Sequence, residues 1–451
     1  MQHDRLIPDS LDSNPLGEQI YALFYQRLQA GWLVNFQSEV VLDLAERKLT
    51  DLIQSQANLI LISTRDPIEL IAALMVGWRL ELPIFLCNPQ WGITEWKQVD
   101  LLTAKVDRNR DRNRIMIPTG GSSGTIKFAI HTWETLSASV WGFKEFYGVD
   151  KVNSVCILPL YHVSGLMQLW RSLLTDGKLL ITDYHQLCTG DTMPMPQIEI
   201  ENYFISLVPT QLHQLLDLYP IWLARFQTIL LGGAPPRMEL LTRSRIAKLP
   251  LALTYGMTET ASQITSLKPA EFLAGNNSCG RVLPHAEIKS ILASDGAVGA
   301  IQIKAKSLML GYFPDLATTE YFETDDLGKP FDECGYLTIL GRNSGKIITG
   351  GENVLPIEVV NAIMATGLVL DVWVVGLPDA YWGQIVTAVY VEGKFPVSGS
   401  TLASTLIGKI SNYKIPKCWL NVPQIPRNSL GKVLVREVER IAQEFNHSAL
   451  P

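Results

Sequence analysis

Short apolar runs alternate with segments of helix length along most of the chain, and this alternation constrains the fold more than any other feature. The runs predicted to be strands are 58–64, 154–160, 204–208, 227–233 and 251–256. Amphipathic stretches such as 132–148 and 209–219 lie between them. Several runs are apolar throughout, which is typical of parallel strands that are covered on both faces. The pattern therefore predicts an α/β fold.

The composition excludes several classes of protein. Hydrophobic residues make up 47% of the 451 residues and charged residues 18%, which is ordinary for a globular chain and unlike a disordered or fibrous one. A net charge of −6 argues against a nucleic-acid-binding protein that works through bulk positive charge. The 6 cysteines are far apart and form no CxxC pair, which argues against a disulfide framework or a zinc ribbon. They indicate a reducing compartment.

No segment of the sequence has the pattern of a membrane span or a secretory signal. Residues 1–17 are polar and interrupted by proline. The best apolar window, 70–80, contains Arg79 and is far shorter than the about 20 residues that span a bilayer. We therefore expect a cytoplasmic protein without membrane insertion. The sequence leaves a homo-oligomer open.

A glycine-rich polar segment, 341–353, predicts a boundary between two domains. Beyond it, the pattern predicts a helix near 356–366, strands at 372–376 and 387–393, and a helix near 400–412. About a hundred residues suffice for a small separate domain. We expect a large domain over 1–341, a hinge over 342–350 and a small domain over 351–451.

A glycine- and hydroxyl-rich loop lies between two apolar segments in the first half of the chain. Its candidate ligand-binding residues are Thr119, Gly120, Gly121, Ser122, Ser123, Gly124 and Lys127. Glycines allow several backbone N–H groups to converge on one phosphate, hydroxyls add donors, and the lysine supplies a counter-charge. The loop does not fit the Walker A pattern. Two other interpretations stay open on this segment alone: a plain surface loop, and the elbow of a serine hydrolase with Ser122 as nucleophile and His285 or His447 downstream.

Four further motifs follow this loop in a fixed order. They are GGAPP at 232–236, YGMTET at 255–260, TDDLG at 324–328 with Gly341-Arg342 after it, and PRNSLGKV at 426–433. Together with the loop, they resemble the adenylate-forming superfamily of acyl-CoA ligases, adenylation domains and luciferases over residues 115–436. The resemblance implies a large α/β domain of several subdomains followed by a small, mobile α+β domain.

The resemblance also implies a role for each motif. The loop from Thr119 to Lys127 is expected to hold the β- and γ-phosphates of ATP. Further ATP-binding residues are expected to be Gly233, Ala234, Tyr255, Gly256, Asp326 and Arg342, with Tyr255 stacked on the adenine and Asp326 on the ribose. The expected catalytic residues are Thr258, Glu259 and Lys432; Glu259 would hold Mg²⁺, which prefers oxygen ligands. Gly345 takes the expected hinge position.

These residue types suit a two-step reaction. A carboxylate attacks the α-phosphate of ATP and pyrophosphate leaves; the thiol of coenzyme A (CoA) then attacks the acyl-adenylate. The first step needs neutralisation of phosphoryl charge by Mg²⁺ and a positioned cation, and no side-chain nucleophile. Four residues depart from the usual family pattern: Ile126 and Phe128 around Lys127, Asp325 before Asp326, and Gly345 at the hinge.

Four segments narrow the resemblance to one branch of the superfamily. They are PLYHVSGL at 159–166, SLVPTQL at 206–212, YGMTETASQIT at 255–265 and GGENVLPIEV at 350–359, and they resemble the 2-succinylbenzoate–CoA ligases of menaquinone and phylloquinone biosynthesis. The resemblance implies an aromatic dicarboxylate as substrate, and hence a cation for the unreacted carboxylate. Arg171 is the candidate cation, and His162 and Ser164 are expected to line the same pocket. The alternatives are a ligase for another aromatic or fatty acid, an inactive nucleotide-binding relative, and a serine hydrolase.

Overall fold

The computed structural model describes residues 15–119, 125–189, 198–292, 298–317, 319–329, 331–343, 345–350, 352–379, 381–428, 431 and 433–448. The chain divides into two compact units. The first comprises Met1–Glu287 with Lys304–Phe322, and the second Ile288–Ile303 with Glu323–Pro451. Within the described parts of the chain, no helix is both long and apolar enough to span a bilayer.

The first unit contains helices and strands in alternation. Its helices are α1 (Leu16–Gln29), α2 (Ser38–Gln54), α3 (Pro67–Arg79), α4 (Ile93–Thr103), α5 (Arg108–Asp111), α6 (Trp133–Tyr147), α7 (Val163–Leu174), α8 (Tyr184–Thr189), α9 (Pro209–Leu218), α10 (Pro220–Leu223), α11 (Met238–Ile246) and α12 (Pro269–Leu273). Its strands are β1 (Ile60–Ile62), β2 (Ile84–Leu86), β3 (Arg114–Thr119), β4 (Lys127–Thr132), β5 (Asn153–Cys156), β6 (Leu179–Ile181), β7 (Tyr203–Leu207), β8 (Thr228–Leu231), β9 (Leu251–Met257), β10 (Ser262–Ser266) and β11 (Arg281–Val282).

The larger sheet of this unit has the order β11-β10-β9-β8-β7-β5-β6. The strands from β9 to β6 are parallel; β10 runs antiparallel to β9, and β11 runs antiparallel to β10. Each of the five runs predicted from the sequence overlaps a strand, and both predicted helices form as α6 and α9. The α/β fold class is therefore confirmed.

The second sheet of this unit has the order β1-β2-β3-β4. Its first three strands are parallel, and β4 folds back on β3 as an antiparallel hairpin. Thr119 lies directly opposite Lys127 at the end of this hairpin that the loop connects. The glycine-rich loop therefore connects two paired strands.

Local sequence signals explain where the helices begin and end. The Asp66 carboxylate accepts from the Ile68 amide at 2.9 Å and Pro67 follows, so α3 has an acidic cap and a proline in its first turn. In α6, the Thr132 hydroxyl accepts from the Thr135 amide at the start of the helix. Gly148, with φ of 67°, ends it in the left-handed conformation that glycine adopts most easily.

Fully buried aromatic side chains dominate the core of the first unit. Trp133 packs edge to face on Trp78 and Trp170, with ring centroids 6.1 and 5.9 Å apart. Phe24 packs in the same manner on Trp170 and Trp32 at 5.9 Å. Such pairs add about 0.5–1.5 kcal/mol each beyond the burial of their surface. This cluster fixes α1, α3, α6 and α7, and α7 carries the predicted acid-pocket residues.

The remaining elements form two further sheets and three helices. They are β12 (Ala286–Leu292), β13 (Gly299–Ala305), β14 (Phe322–Lys329), β15 (Thr338–Arg342), β16 (Ile347–Thr349), β17 (Glu352–Val354), α13 (Pro356–Met364), β18 (Val369–Asp379), β19 (Gly383–Glu392), α14 (Gly399–Leu406), β20 (Cys418–Asn421) and α15 (Val435–Ser448). One sheet has the order β12-β13-β14-β15; in the other, the order is β17-β16-β19-β18 and β20 pairs with β19.

The predicted elements of the C-terminal part are present as α13, β18, β19 and α14. Helix α14 ends at Leu406, earlier than predicted, and Gly408 with φ of 78° follows. The segment predicted as a boundary, 341–353, contains parts of β15, β16 and β17, and the second compact unit already includes residues before it. The predicted division at 341 and the predicted hinge over 342–350 describe a motion of the small domain relative to the large one. They stay predictions.

Candidate active site

The residues that are expected to bind the adenine of ATP lie at the carboxyl ends of strands in the larger sheet. Gly233 and Ala234 follow β8, and Tyr255 lies near the end of the neighbouring strand β9. The Thr254 hydroxyl donates to the Leu231 carbonyl at 3.2 Å and ties the ends of the two strands together. In open α/β sheets, ligands bind outside the carboxyl ends of the strands. The structure thus brings these three predicted residues to one edge of the sheet.

A tight hairpin carries the predicted catalytic pair. Strand β9 ends at Met257, a single 3₁₀ turn spans Thr258–Thr260, and β10 begins at Ser262. The Thr260 hydroxyl accepts from the Met257 amide at 3.0 Å and donates to the Ser262 carbonyl at 2.7 Å. A Cβ on Gly256 would lie 2.1 Å from the Ser262 carbonyl oxygen, so only glycine fits there. Thr258 and Glu259 are therefore presented by a closed, rigid tip.

A buried histidine that the sequence analysis did not single out supports this tip. His131 Nε2 lies 2.8 Å from the Thr258 carbonyl oxygen, and Nδ1 lies 3.1 Å from the Thr135 hydroxyl. Since a carbonyl oxygen can only accept, Nε2 carries the proton. Burial lowers the pKa of His131 to about 4, so the ring is neutral at pH 7. His131 fixes the backbone of Thr258 without adding charge.

Tyr312 is the main functional candidate that the sequence analysis missed. Its hydroxyl donates to Glu259 Oε1 at 2.6 Å, and the Met309 amide donates to the Glu259 carbonyl at 2.8 Å. The segment around Tyr312 is itself anchored on β4, because the Phe313 amide donates to the Phe128 carbonyl at 2.9 Å. The available signal was a Gly-Tyr pair directly after an apolar run.

The side chain of Lys127 lies over the ring of Tyr312. Its Nζ is 5.0 Å from the centroid of the Tyr312 ring, within cation–π range. The next residue, Phe128, is fully buried and packs on Phe85 with ring centroids 5.1 Å apart. This packing fixes the backbone at Lys127. Thr119 lies opposite Lys127. The predicted loop residues Gly120, Gly121, Ser122, Ser123 and Gly124 lie outside the described residues.

The predicted ribose pair lies in the second unit. Asp326 and Arg342 are direct neighbours across β14 and β15, with Arg342 Nε 3.6 Å from Asp326 Oδ1. The arginine side chain is half-exposed, and that of the aspartate is largely buried. The predicted hinge residue, Gly345, is exposed, and a Cβ there would make only ordinary contact with the Arg342 carbonyl oxygen at 3.6 Å. Lys432 lies outside the described residues.

The residues predicted for the acid pocket lie on a single helix. His162 is the residue before α7, and Ser164 and Arg171 are seven positions apart on it. That spacing puts the two side chains on one face, about 10 Å apart along the axis. Burial lowers the pKa of His162 to about 4, so its ring, stacked near Tyr161 with centroids 4.8 Å apart, is neutral at pH 7.

Arg171 is a buried cation. Its exposed fraction is 2%, its Nη2 donates to the Ser262 hydroxyl at 3.3 Å, and its guanidinium lies 4.2 Å from the centroid of the Phe143 ring. No Asp or Glu among the described residues forms an ion pair with it, and Nε has no hydrogen-bond partner. Burial lowers its pKa to about 10, which leaves it charged at pH 7. A buried charge without a counter-ion is costly, so this position suits an anionic ligand.

Comparison with known proteins places the chain in a family. Residues 52–313 match the model of the family described as AMP-binding enzyme. The chain belongs to the AMP-binding enzyme family. The 2-succinylbenzoate–CoA ligase of Lactococcus lactis is 32% identical over 326 residues, which cover 72% of this chain and 70% of that protein. The adenylate-forming resemblance is thereby confirmed.

Solved structures agree with this assignment at the level of the fold. One is the o-succinylbenzoate CoA synthetase of Bacillus subtilis in complex with the acyl-adenylate intermediate, with a TM-score of 0.77, 24% identity, and coverage of 92% of this chain and 97% of that one. The same enzyme in complex with ATP and magnesium ion also has a TM-score of 0.77 at 24% identity, with coverage of 93% and 99%. Membership of this family replaces the serine-hydrolase interpretation of the glycine-rich loop.

Proposed function

We propose that this enzyme is an ATP-dependent ligase that converts 2-succinylbenzoate, ATP and CoA to 2-succinylbenzoyl-CoA, AMP and pyrophosphate through an acyl-adenylate. The reaction serves menaquinone or phylloquinone biosynthesis. Support comes from the family membership, from relatives named for this activity, and above all from Arg171. A buried guanidinium without an acidic partner gives an aromatic dicarboxylate an advantage over monocarboxylic acids.

Phosphate binding and metal binding in the adenylation half-reaction are assigned to residues of the first unit. Lys127 supplies positive charge for the ATP phosphates, and Thr258 and Glu259, on the tip of the β9–β10 hairpin, contribute to the same site. Tyr312 holds one oxygen of the Glu259 carboxylate and leaves the other without a hydrogen-bond partner among the described residues. Preorganised charge of this kind accelerates phosphoryl chemistry because it needs no rearrangement in the transition state.

Glu259 fits Mg²⁺ as a single carboxylate ligand. No group of three or more His, Cys, Asp or Glu in the described part of the chain is arranged as a metal site. Mg²⁺ in nucleotide enzymes is commonly held by one or two carboxylates together with phosphate oxygens and water, so a single carboxylate suffices. When bound, the ion neutralises charge that develops on the phosphoryl group.

The second unit is assigned the ribose and the catalytic lysine. Asp326 accepts from the ribose hydroxyls, and Arg342, across the strand pair, orients the carboxylate. Lys432 contacts the reacting carboxylate and phosphate oxygens during adenylation. The segment around Gly345 then rotates the C-terminal part for attack by CoA. The exposed position of Gly345 and the lack of steric constraint on it suit a hinge.

The reaction takes place in the cytoplasm, where ATP and CoA are available.

The direct test is formation of the CoA thioester with ATP and Mg²⁺. The acids to compare are 2-succinylbenzoate, benzoate, a medium-chain fatty acid and 3-benzoylpropionate, which lacks only the ring carboxylate of 2-succinylbenzoate. We expect kcat/KM to be highest for 2-succinylbenzoate by at least ~10²-fold, the scale of one charge-assisted contact. Higher turnover of another acid would keep the chemistry and overturn the proposed substrate. No thioester from any acid would overturn the ligase.

A further inference from the structure

A buried polar cluster surrounds Arg171 and contains a histidine to which the ligase mechanism gives no role. His285 follows β11 and precedes β12, and its exposed fraction is 9%. Its backbone is fixed by the Lys306 amide, which donates to the His285 carbonyl at 3.0 Å. Its ring lies against Gly142 of α6, so closely that a Cβ there would lie 1.8 Å from Nδ1. The next residue on that helix, Phe143, contacts the guanidinium of Arg171.

Among the residues that the structure describes, neither ring nitrogen of His285 has a hydrogen-bond partner. Buried polar atoms are almost always paired, because an unpaired one loses its hydrogen bonds to water without replacement. Nε of Arg171 is also unpaired among the described residues. Two neighbouring side chains thus have unused hydrogen-bonding capacity, and Nε of Arg171 can only donate.

The charge of this cluster is one-sided. Tyr147, one turn beyond Phe143 on α6, interacts electrostatically with Arg171, and its hydroxyl pairs with the Ser266 hydroxyl at 2.7 Å. Burial, followed by the charge of Arg171, lowers the pKa of His285 to about 4, so the ring is neutral at pH 7 and carries one N–H. No described carboxylate forms an ion pair with Arg171 or His285. The cluster therefore contains a buried positive charge that no described carboxylate balances.

We propose that His285 is a second specificity-determining residue, which donates a hydrogen bond to the carboxylate that Arg171 binds. A carboxylate has two acceptor oxygens. The guanidinium of Arg171 donates to one of them, and the imidazole N–H of His285 donates to the other. This inference rests on the proposed function, because it needs a substrate with a second carboxylate.

A histidine retained for binding and one retained for structure respond differently to replacement by leucine. His285→Leu keeps an apolar body of similar size and removes two unpaired polar atoms. For a binding role, we expect an unchanged or higher melting temperature together with weaker discrimination. The measured quantity is the ratio of kcat/KM for 2-succinylbenzoate to kcat/KM for 3-benzoylpropionate. It should fall about 10- to 100-fold, the scale of one hydrogen bond to a charged group, and most of the change should be in KM.

A second variant tests the same role without removing the imidazole. Gly142→Ala inserts a methyl group where the ring now lies and forces His285 to move. We expect the same fall in the ratio. His213→Gln serves as the control, since His213 is more than half-exposed on α9, beside Asp217. It should leave both the melting temperature and the ratio as in the unchanged protein.

The outcomes separate this inference from the proposed function. If the unchanged enzyme prefers 2-succinylbenzoate and His285→Leu keeps that preference, the role of His285 is wrong and the function stands. A lower melting temperature with an unchanged ratio shows a structural histidine and also overturns it. If the unchanged enzyme forms no thioester from 2-succinylbenzoate, the proposed function fails, and the inference falls with it.

Discussion

The Tyr312 hydroxyl donates a hydrogen bond to Glu259 Oε1 at 2.6 Å, although the two residues are 53 positions apart in the chain. Tyr312 also has its ring face 5.0 Å from Nζ of Lys127. One aromatic side chain thus connects the predicted metal ligand with the predicted phosphate lysine. The pairing of residues 309–313 with β4 makes this possible, because it holds the tyrosine between the two motifs.

Tyr312→Phe should reduce adenylation without unfolding the protein. The phenyl ring keeps its packing while the Glu259 carboxylate loses an orienting donor, so we expect kcat to fall about 10-fold and the Mg²⁺ requirement to rise. ATP–pyrophosphate exchange over a range of Mg²⁺ concentrations measures both. The matched control is Tyr321→Phe, which removes a tyrosine–glutamate hydrogen bond of 2.7 Å on the surface, with Glu287. Equal effects of the two variants would contradict an orienting role for Tyr312.

Arg171→Met should raise KM for 2-succinylbenzoate about 100-fold and change KM for 3-benzoylpropionate far less. Methionine fills similar space, and removal of an unpaired buried charge should leave the melting temperature unchanged or higher. The control is Arg27→Met, because Arg27 is a buried arginine that pairs with Asp176 at 3.2 Å and bonds the Ser172 carbonyl. That variant should lose stability and keep the acid preference. Equal changes in KM for both acids would remove Arg171 from the pocket.

Lys432→Ala should slow acyl-adenylate formation at least ~10²-fold while ATP binding stays near normal. The lysine is expected to contact groups that acquire charge in the transition state, and such contacts affect rate more than affinity. Rapid-quench measurement of AMP formation gives the rate, and calorimetry gives the ATP affinity. Lys409→Ala removes an exposed lysine from the same unit as a control. Near-normal adenylation by Lys432→Ala would refute the assignment.

The stability of the protein should fall as the pH drops from about 6.5 toward 4. Burial lowers the pKa of His131, His162 and His285 to about 4 in the folded protein, below the usual 6.5. Between these values the unfolded chain binds more protons than the folded one, so stability is greatest above pH 6.5 and declines on acidification. Each histidine contributes up to about 1.4 kcal/mol per pH unit in that window.

Calorimetric melting at pH 7.5, 6.0 and 5.0 checks this dependence. His285→Leu should reduce the pH dependence of the melting temperature by the contribution of one histidine. Replacement of the exposed His213 should leave that pH dependence unchanged. A melting temperature that is constant from pH 7.5 to 5.0 would contradict the buried, neutral state of these rings.

Local sequence was sufficient to predict the strands and the motif-bearing turns. The runs at 251–256 and 227–233 overlap β9 and β8, and the pairing of Asp326 with Arg342 follows from two motifs on neighbouring strands. In these cases, a hydrophobic periodicity or a turn-forming residue determines the local backbone conformation, and only a few neighbouring residues are involved. The sequence analysis also grouped Ser164 with Arg171 in one pocket, and the structure shows both on α7, a helix that the sequence analysis did not predict.

The contributions of Tyr312, His131 and His285 could not be predicted in this way. Each depends on contacts between segments far apart in the chain: Tyr312 with Glu259, His131 with Thr258, and His285 with Gly142. No local pattern encodes such contacts. Isolated histidines and tyrosines in apolar surroundings are usually core residues. Their role becomes visible only when their hydrogen-bond partners, or the lack of partners, are known.

The most direct test of the account is detection of the intermediate. The purified protein is incubated with 2-succinylbenzoate, ATP and Mg²⁺ without CoA, and the bound products are identified by mass spectrometry. We expect about one equivalent of the 2-succinylbenzoyl-adenylate per active site, with release of pyrophosphate, and its conversion to thioester and AMP when CoA is added. Formation of thioester in the presence of CoA with no adenylate detectable in its absence, or ADP in place of AMP, would contradict the two-step mechanism.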